Sequence, residues 1–307
     1  MESLLNSNDQ KLKDFYLALE DKFRGTRVDV KKKLSIYLPV AKIVKKSFNN
    51  AQIIDIGCGR CEWLELLIEN KIQATGVDIS VYPDFKEKYN IVKSDALKYI
   101  ESIPSNSIAL ISAFHFIEHI GPEEQINFIL EAQRVLIAGG ILILETPNSE
   151  NLIVATKTFY LDPTHNKPLV PEYLDFLAEF SGFGVRRCIP LGRKKLNHPS
   201  LWDIFSQPST DYALVCQKKG GSEKFHEQFM RVKFAPKGMS MMDLTDQHVK
   251  GNEARIRKHL SRINSNLKVL NERSNYYQVQ IDYIRRILKP IISLSSLIHK
   301  VRNKISK

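Results

Sequence analysis

Cysteine is scarce in this chain of 307 residues: Cys58, Cys61, Cys188 and Cys216 are too few and too scattered to form a disulfide framework. That excludes a disulfide-stapled secreted scaffold and fits a reducing compartment. Long hydrophobic runs are absent as well. No stretch of about 18 apolar residues exists to span a bilayer, so any membrane association is expected to be peripheral. The start, Met1-Glu2-Ser3-Leu4-Leu5-Asn6, has no basic segment followed by an apolar one, so a signal peptide is not expected and a cytoplasmic location is. Basic residues are missing where a nucleic-acid groove would need them. From Lys250 to Lys307 there are 14 Lys and Arg against three acids, an excess equal to the +11 of the whole chain, which leaves residues 1–249 near neutral. No nucleic-acid partner is therefore expected.

A hydrophobic content of 43% suffices for a substantial core. Residues 1–50 read as helical and amphipathic, with Phe15, Leu19 and Phe23 among charges and then Leu34, Tyr37, Val40 and Ile43. Across 51–218, seven short apolar runs alternate with helical patterns: Gln52–Ile56, Gln73–Asp78, Ile91–Ser94, Ile108–Phe114, Ile141–Thr146, Val185–Pro190 and Asp211–Gln217. That alternation predicts an α/β domain with a seven-stranded, mostly parallel sheet covered by helices on both faces. Residues 219–252, entered through Lys-Lys-Gly-Gly-Ser at 218–222, read as a linker. From Ile256 the pattern changes. Ile256, Leu260, Ile263, Leu267, Leu270, Ser274, Tyr277, Ile281, Ile284 and Leu288 alternate at spacings of four and three, a coiled-coil seam within 253–289 that favours self-association over a single docked helix. Pro290 is expected to stop or kink it. Residues 290–307 form a basic amphipathic tail, suited to an anionic membrane surface or a partner protein, or else a frayed, solvated end.

The strand ending at Asp55 runs into Gly57-Cys58-Gly59 and then a helix, a loop that lets the backbone approach a nucleotide-like cofactor. Asp78 ends the next strand, where a carboxylate can accept hydrogen bonds from both ribose hydroxyls. A dinucleotide dehydrogenase shares this plan but needs a third glycine where the chain has Glu62. The two-glycine loop suits S-adenosyl-L-methionine, which carries no pyrophosphate. Asp95, with Ala96 after it, follows the third strand as a candidate adenine contact, and it also reads as a helix cap. Trp63 reads as packing. Cys58 and Cys61 form a C-x-x-C with no second pair, and His115-Phe116-Ile117-Glu118-His119 matches an H-x-x-E-H zinc pattern. That pattern needs both histidines within a helix plus a third ligand, whereas His115 closes an apolar strand; no metal is expected.

Together, Asp55-Ile56-Gly57-Cys58-Gly59, Gly76-Val77-Asp78, Ser94-Asp95-Ala96, His115 to His119 and Gly139 to Asn148 resemble the Rossmann-like class I methyltransferases. Two stretches narrow the resemblance. Phe15 to Arg27, and Thr158-Phe159-Tyr160-Leu161-Asp162-Pro163-Thr164-His165, are similar to the O-antigen chain-terminating methyltransferases of Gram-negative bacteria. The resemblance covers roughly residues 12–190. It implies an S-adenosylmethionine-dependent enzyme that caps the non-reducing end of a lipid-linked O-polysaccharide acceptor. It further implies a coiled coil, such as a trimer, that sets chain length, and a C-terminal end that recruits the polymerizing glycosyltransferase at the inner membrane.

The best-known members of that family place a kinase domain before the coiled coil and methylate the phosphate it adds. About 35 residues separate Gln217 from the heptads here, too few for a kinase. The expected acceptor is therefore a terminal sugar hydroxyl, such as that of a mannose. The alternatives are a phosphate supplied by a separate kinase, or a non-catalytic scaffold. A hydroxyl must lose its proton, so a general base becomes useful, and His119, His115 and His165 are the candidates in that order. His115 also reads as a cofactor-wall residue. The resemblance places Tyr16, Arg24 and Arg27 in the active site, Tyr16 and Arg27 toward the cofactor and Arg24 toward the acceptor, with a solvated helix surface as the other reading. Tyr160, Asp162 and His165 are expected to form the acceptor wall.

Overall fold

The computed structural model describes residues 22–48, 52–80, 83–192, 198–235 and 238–305, together with positions 15, 18, 19 and 196; side chains are described as far as Pro290, those of residues 83 and 84 excepted. It divides into two units, residues 1–247 and 248–307.

The first unit is built on a seven-stranded sheet. Its strands are β1 (Gln52–Ile56), β2 (Thr75–Asp78), β3 (Ile91–Lys93), β4 (Ile108–Phe114), β5 (Leu136–Pro147), β6 (Phe183–Leu191) and β7 (Asp211–Lys218). They lie in the order β3-β2-β1-β4-β5-β7-β6, with β7 antiparallel to both neighbours. Each of the seven apolar runs in the sequence is a strand. β4 is buried at every position and β1 at all but its first, because helices cover both faces of a parallel sheet.

One face carries α1 (Arg27–Leu34), α2 (Leu38–Ser47) and α3 (Glu62–Glu69), and it packs Tyr37, Val40, Trp63 and Leu67 on Ile53, Leu110 and Ile143. Trp63 meets Tyr37 and Phe114 edge-on and is buried, in keeping with a packing role. The other face carries α5 (Ala96–Ser102), α6 (Pro122–Val135) and α7 (Pro171–Phe180), where Ile100, Phe128, Ile129 and Leu174 pack on Ile54, Ile111 and Leu142; a short α4 (Pro83–Lys86) lies between β2 and β3. A one-turn α8 (Leu201–Ser206) precedes β7.

The expected linker at 219–252 is corrected. It contains α9 (Glu223–Met230), which buries Phe225 and Phe229 in the first core, with Phe225 edge-on to Phe48 at 4.8 Å. Two aromatics one helical turn apart hold the segment on the domain despite the Gly-Gly-Ser that precedes it. The last helix, α10, begins within the expected linker as well and runs Met241–Ile305. It continues through Pro290, so of the stop or kink expected there the stop does not occur. From Ile256 to Leu288 its apolar seam is exposed. The side chains of the basic tail after Pro290 lie outside the described residues. Among the described residues no helix is long and apolar enough to cross a membrane.

Candidate active site

The sheet order reverses between β1 and β4, and at that switch point the carboxyl ends of the strands open into a cavity of about 760 Å³, within the usual range of about 300–1,000 Å³ for small-ligand sites. Gly57 and Gly59, Asp78, Asp95 and Ala96, Arg24, and the residues following β4 and β5 line it.

The glycine loop forms one wall. After β1, the Gly57 and Cys58 N–H groups both donate to the Val77 carbonyl, at 2.8 and 3.2 Å, which folds the loop over β2. Gly57 takes φ +67°, and a Cβ there would stand 3.3 Å from the Phe116 ring, so glycine is needed both for the turn and for the approach. Gly59 N–H donates to Asp78 Oδ2 at 2.9 Å and Ser80 N–H to Asp78 Oδ1 at 2.8 Å. Burial pushes the Asp78 carboxyl up, and these two bonds offset part of that. Each oxygen keeps lone-pair capacity for a further donor. Asp95 caps α5 by accepting from Lys98 N–H at 3.0 Å, and it also lines the cavity.

Several expected contacts fall elsewhere. Asp55 is absent from the cavity wall. It lies buried in β1 and accepts from Ser112 Oγ at 2.7 Å; burial pushes it up to about 7, against the Ser112 bond and with the Asp78 charge. Arg27 does not reach the cavity either. Its guanidinium pairs with Glu65 at 2.6 Å, donates to the Arg60 carbonyl and sits over the Phe85 ring, clamping α1 to α3. Glu65, Glu62 and the ring hold it on the α3 side. Tyr160 is 63% exposed and outside the wall. Tyr16 lies outside the described residues. Arg24 does line the cavity and donates to the Phe114 carbonyl at 3.4 Å.

The three histidines all line the cavity but differ in kind. His115 takes φ +52°, a left-handed conformation that turns the chain at the end of β4. Its Nδ1 is 3.2 Å from Glu118 Oε1, and its Nε2 is 3.6 Å from Glu145 Oε1 and 4.0 Å from Asp211 Oδ1. Burial alone would lower its pKa, but the bonds to Glu118 and Glu145 and the Asp211 charge push it up to about 10. An imidazolium has no lone pair, so the structure corrects His115 from base to fixed cation. Glu145 in turn accepts from Tyr37 Oη at 2.5 Å. Sequence reading missed Glu145, Asp211 and Tyr37, whose meeting at His115 depends on the pairing of β4, β5 and β7.

His119 closes a 3₁₀ turn, Ile117–His119, so His115 and His119 do not share the helix that the zinc-protease pattern requires. Burial pushes His119 down, and Glu118 offsets only part of this, so it is neutral near pH 7. Its ring stands 4.7 Å from that of His165, centroid to centroid. Asp162 and Thr164 complete this wall: the Thr164 hydroxyl donates to Asp162 Oδ1 at 2.6 Å and lies 2.8 Å from His119 Nδ1. Burial works to raise Asp162, and the Thr164 bonds hold it below the usual range. The loop after β5 thus brings Asp162, Thr164 and His165 to His119, a meeting not foreseen from the sequence, where Asp162 and His165 were expected only as a wall for the acceptor.

The residues present fit a nucleoside cofactor. A Cβ at Gly57 would crowd the Phe116 ring at 3.3 Å, and Asp78, ending β2, and Asp95, just after β3, offer carboxylate oxygens to the cavity. The sequence profile of the family described as "Methyltransferase domain" matches residues 31–186, just over half of the chain. A solved S-adenosylmethionine-dependent methyltransferase from Archaeoglobus fulgidus is 31% identical, with a TM-score of 0.57, covering 66% of this chain and 100% of that one. Among curated proteins, a "Probable S-adenosylmethionine-dependent methyltransferase" of Mycolicibacterium smegmatis is 27% identical over 136 residues, covering 43% of this chain and 52% of that protein. One of Mycobacterium tuberculosis is 25% identical over 134 residues, covering 43% of this chain and 48% of that protein. The chain thus spans about half the length of the curated relatives it matches. Fold, loop and profile agree: the chain belongs to the methyltransferase-domain family, with the class I fold and S-adenosylmethionine as its cofactor.

Proposed function

We propose that the chain is an O-methyltransferase that acts on a hydroxyl of the non-reducing terminal sugar of an O-polysaccharide, a mannose being the expected sugar, and so ends chain extension. The observation that carries this reading is the state of His119. Thr164 gives its hydroxyl hydrogen to Asp162, so its oxygen accepts from His119 Nδ1–H, and Nε2 is left as the basic nitrogen of a neutral imidazole lining the cavity. A hydroxyl acceptor needs such a base, and a phosphate oxygen, already an anion, does not. Asp162 beside it favours a neutral acceptor over a phosphate.

In this reading Gly57 and Gly59 admit the cofactor, Asp78 holds its ribose hydroxyls and Asp95 lies toward its adenine. Bound S-adenosylmethionine supplies an activated methyl group. His119 Nε2 takes the proton as the acceptor oxygen becomes nucleophilic, His165 and Asp162 orient the sugar, and Arg24 secures the mouth. The exposed seam from Ile256 to Leu288 supports self-association, a trimer being the expected form, with the helix as a length gauge. The basic residues after Pro290 support a peripheral place at the inner membrane, beside the polymerizing glycosyltransferase.

The test is mass spectrometry of products from synthetic mannose-terminated acceptors with and without a terminal phosphate. Methylation of the unphosphorylated acceptor is expected. Methylation of the phosphorylated acceptor alone would refute the hydroxyl reading and point to a separate kinase.

A further inference from the structure

We propose that Glu118, His119 and His165 form a site for a divalent first-row transition-metal ion at the acceptor side of the cavity, His119 and His165 lining it and Glu118 fully buried beside them. One ligand atom from each lies within 4.8 Å of the others, although the 3₁₀ turn after β4 supplies two of them and the loop after β5 the third. Close approach alone is common; what distinguishes this cluster is how each ligand is held.

The Thr164 hydroxyl donates to Asp162 Oδ1 at 2.6 Å and accepts from His119 Nδ1–H at 2.8 Å. His165 Nδ1 stands 2.6 Å from the Phe159 carbonyl, which can only accept, so that nitrogen also carries its hydrogen. Both imidazoles therefore keep Nε2 as the lone-pair nitrogen. Glu118, fully buried, is fixed at both oxygens, by His115 Nδ1 at 3.2 Å and by Thr146 Oγ1 at 3.0 Å. An imidazole whose Nδ1–H is tied to a carbonyl or a hydroxyl–carboxylate relay, next to an oriented carboxylate, is the arrangement that metal sites use to set tautomer and direction. Asp162 Oδ2, 4.0 Å from His165 Nε2, is at hand for a metal-bound water.

Two nitrogens and a carboxylate select borderline ions such as Zn²⁺, Co²⁺ or Fe²⁺ over Mg²⁺ or Ca²⁺, and three protein ligands leave positions open. If the O-methylation reading above is right, on which this consequence rests, an acceptor hydroxyl at an open position would lose its proton more readily, to the neighbouring Asp162 carboxylate, and His119 would act through the ion rather than as the free base.

Chelator-treated full-length protein titrated with Co²⁺ should take up one ion per chain, with a visible ligand-field band. His119→Ala and His165→Ala should each weaken uptake at least tenfold, and Thr164→Val, which removes only the relay, roughly 10- to 100-fold. Circular dichroism melting controls for folding, and His165→Gln gives a second, less disruptive variant. Absence of saturable uptake by the wild type, or uptake unchanged in folded His119→Ala and His165→Ala, would overturn the proposal. Uptake without methyl transfer to any sugar would leave the site standing and count against the O-methylation reading alone.

Discussion

The Asp78 carboxylate accepts the Gly59 N–H at 2.9 Å, so the glycine loop after β1 and the acid that ends β2 are one device. Asp78 holds the loop in shape through one lone pair of Oδ2 and is held by Ser80 through Oδ1, leaving the rest of its accepting capacity to a ligand. This is why neither half of the motif is informative alone.

Gly57→Ala tests the loop's conformation. The substitution forces a methyl group to within 3.3 Å of the Phe116 ring at φ +67°, so we expect a loss of about 1–2 kcal/mol in urea unfolding together with weaker cofactor binding. Unchanged stability and affinity would show that the loop does not require the left-handed turn.

Asp55 gives a pH prediction. Its folded-state carboxyl, raised by burial to about 7 from an ordinary 3.8, binds its proton more tightly than in the unfolded chain. Its contribution to stability is then fully present below about 3.8, declines as pH rises and levels off above about 7. Urea midpoints of wild type minus Asp55→Asn should fall across that window. A flat difference would contradict the assignment.

Arg27 separates clamp from ligand. It bridges α1 to Glu65 and Phe85 away from the cavity, so Arg27→Ala should lower stability by no more than about 1 kcal/mol, given that the ion pair is partly solvated, and leave cofactor affinity unaltered. A large rise in the cofactor dissociation constant would return Arg27 to the site.

The sheet was legible from the sequence because its strands are buried on both faces and so read as apolar runs, and Asp95 because a cap announces itself by the helix after it. Arg27 was not, since nothing local distinguishes a guanidinium reaching a ligand from one reaching Glu65 on another helix. The same limit hid the fate of His115: its charge depends on Glu145 and Asp211, 30 and 96 positions along the chain, brought close by the pairing of β4, β5 and β7. Gly220 and Gly221 concealed α9, whose two phenylalanines bury it with too few apolar residues to advertise a helix.

The exposed seam predicts association. Leu260→Glu and Leu267→Glu, both on half-exposed seam positions, should convert the oligomer to monomer in sedimentation equilibrium without altering cofactor binding. An unchanged mass would reject the seam.

The most direct test of the account is calorimetric titration of the full chain with S-adenosylmethionine, beside Asp78→Asn. The wild type should bind one equivalent, and the variant roughly tenfold or more weakly, because hydrogen bonds to a charged acceptor contribute about 1.5–3 kcal/mol. No heat of binding from the folded wild type, or equal affinity in Asp78→Asn, would contradict a cofactor seated on the glycine loop.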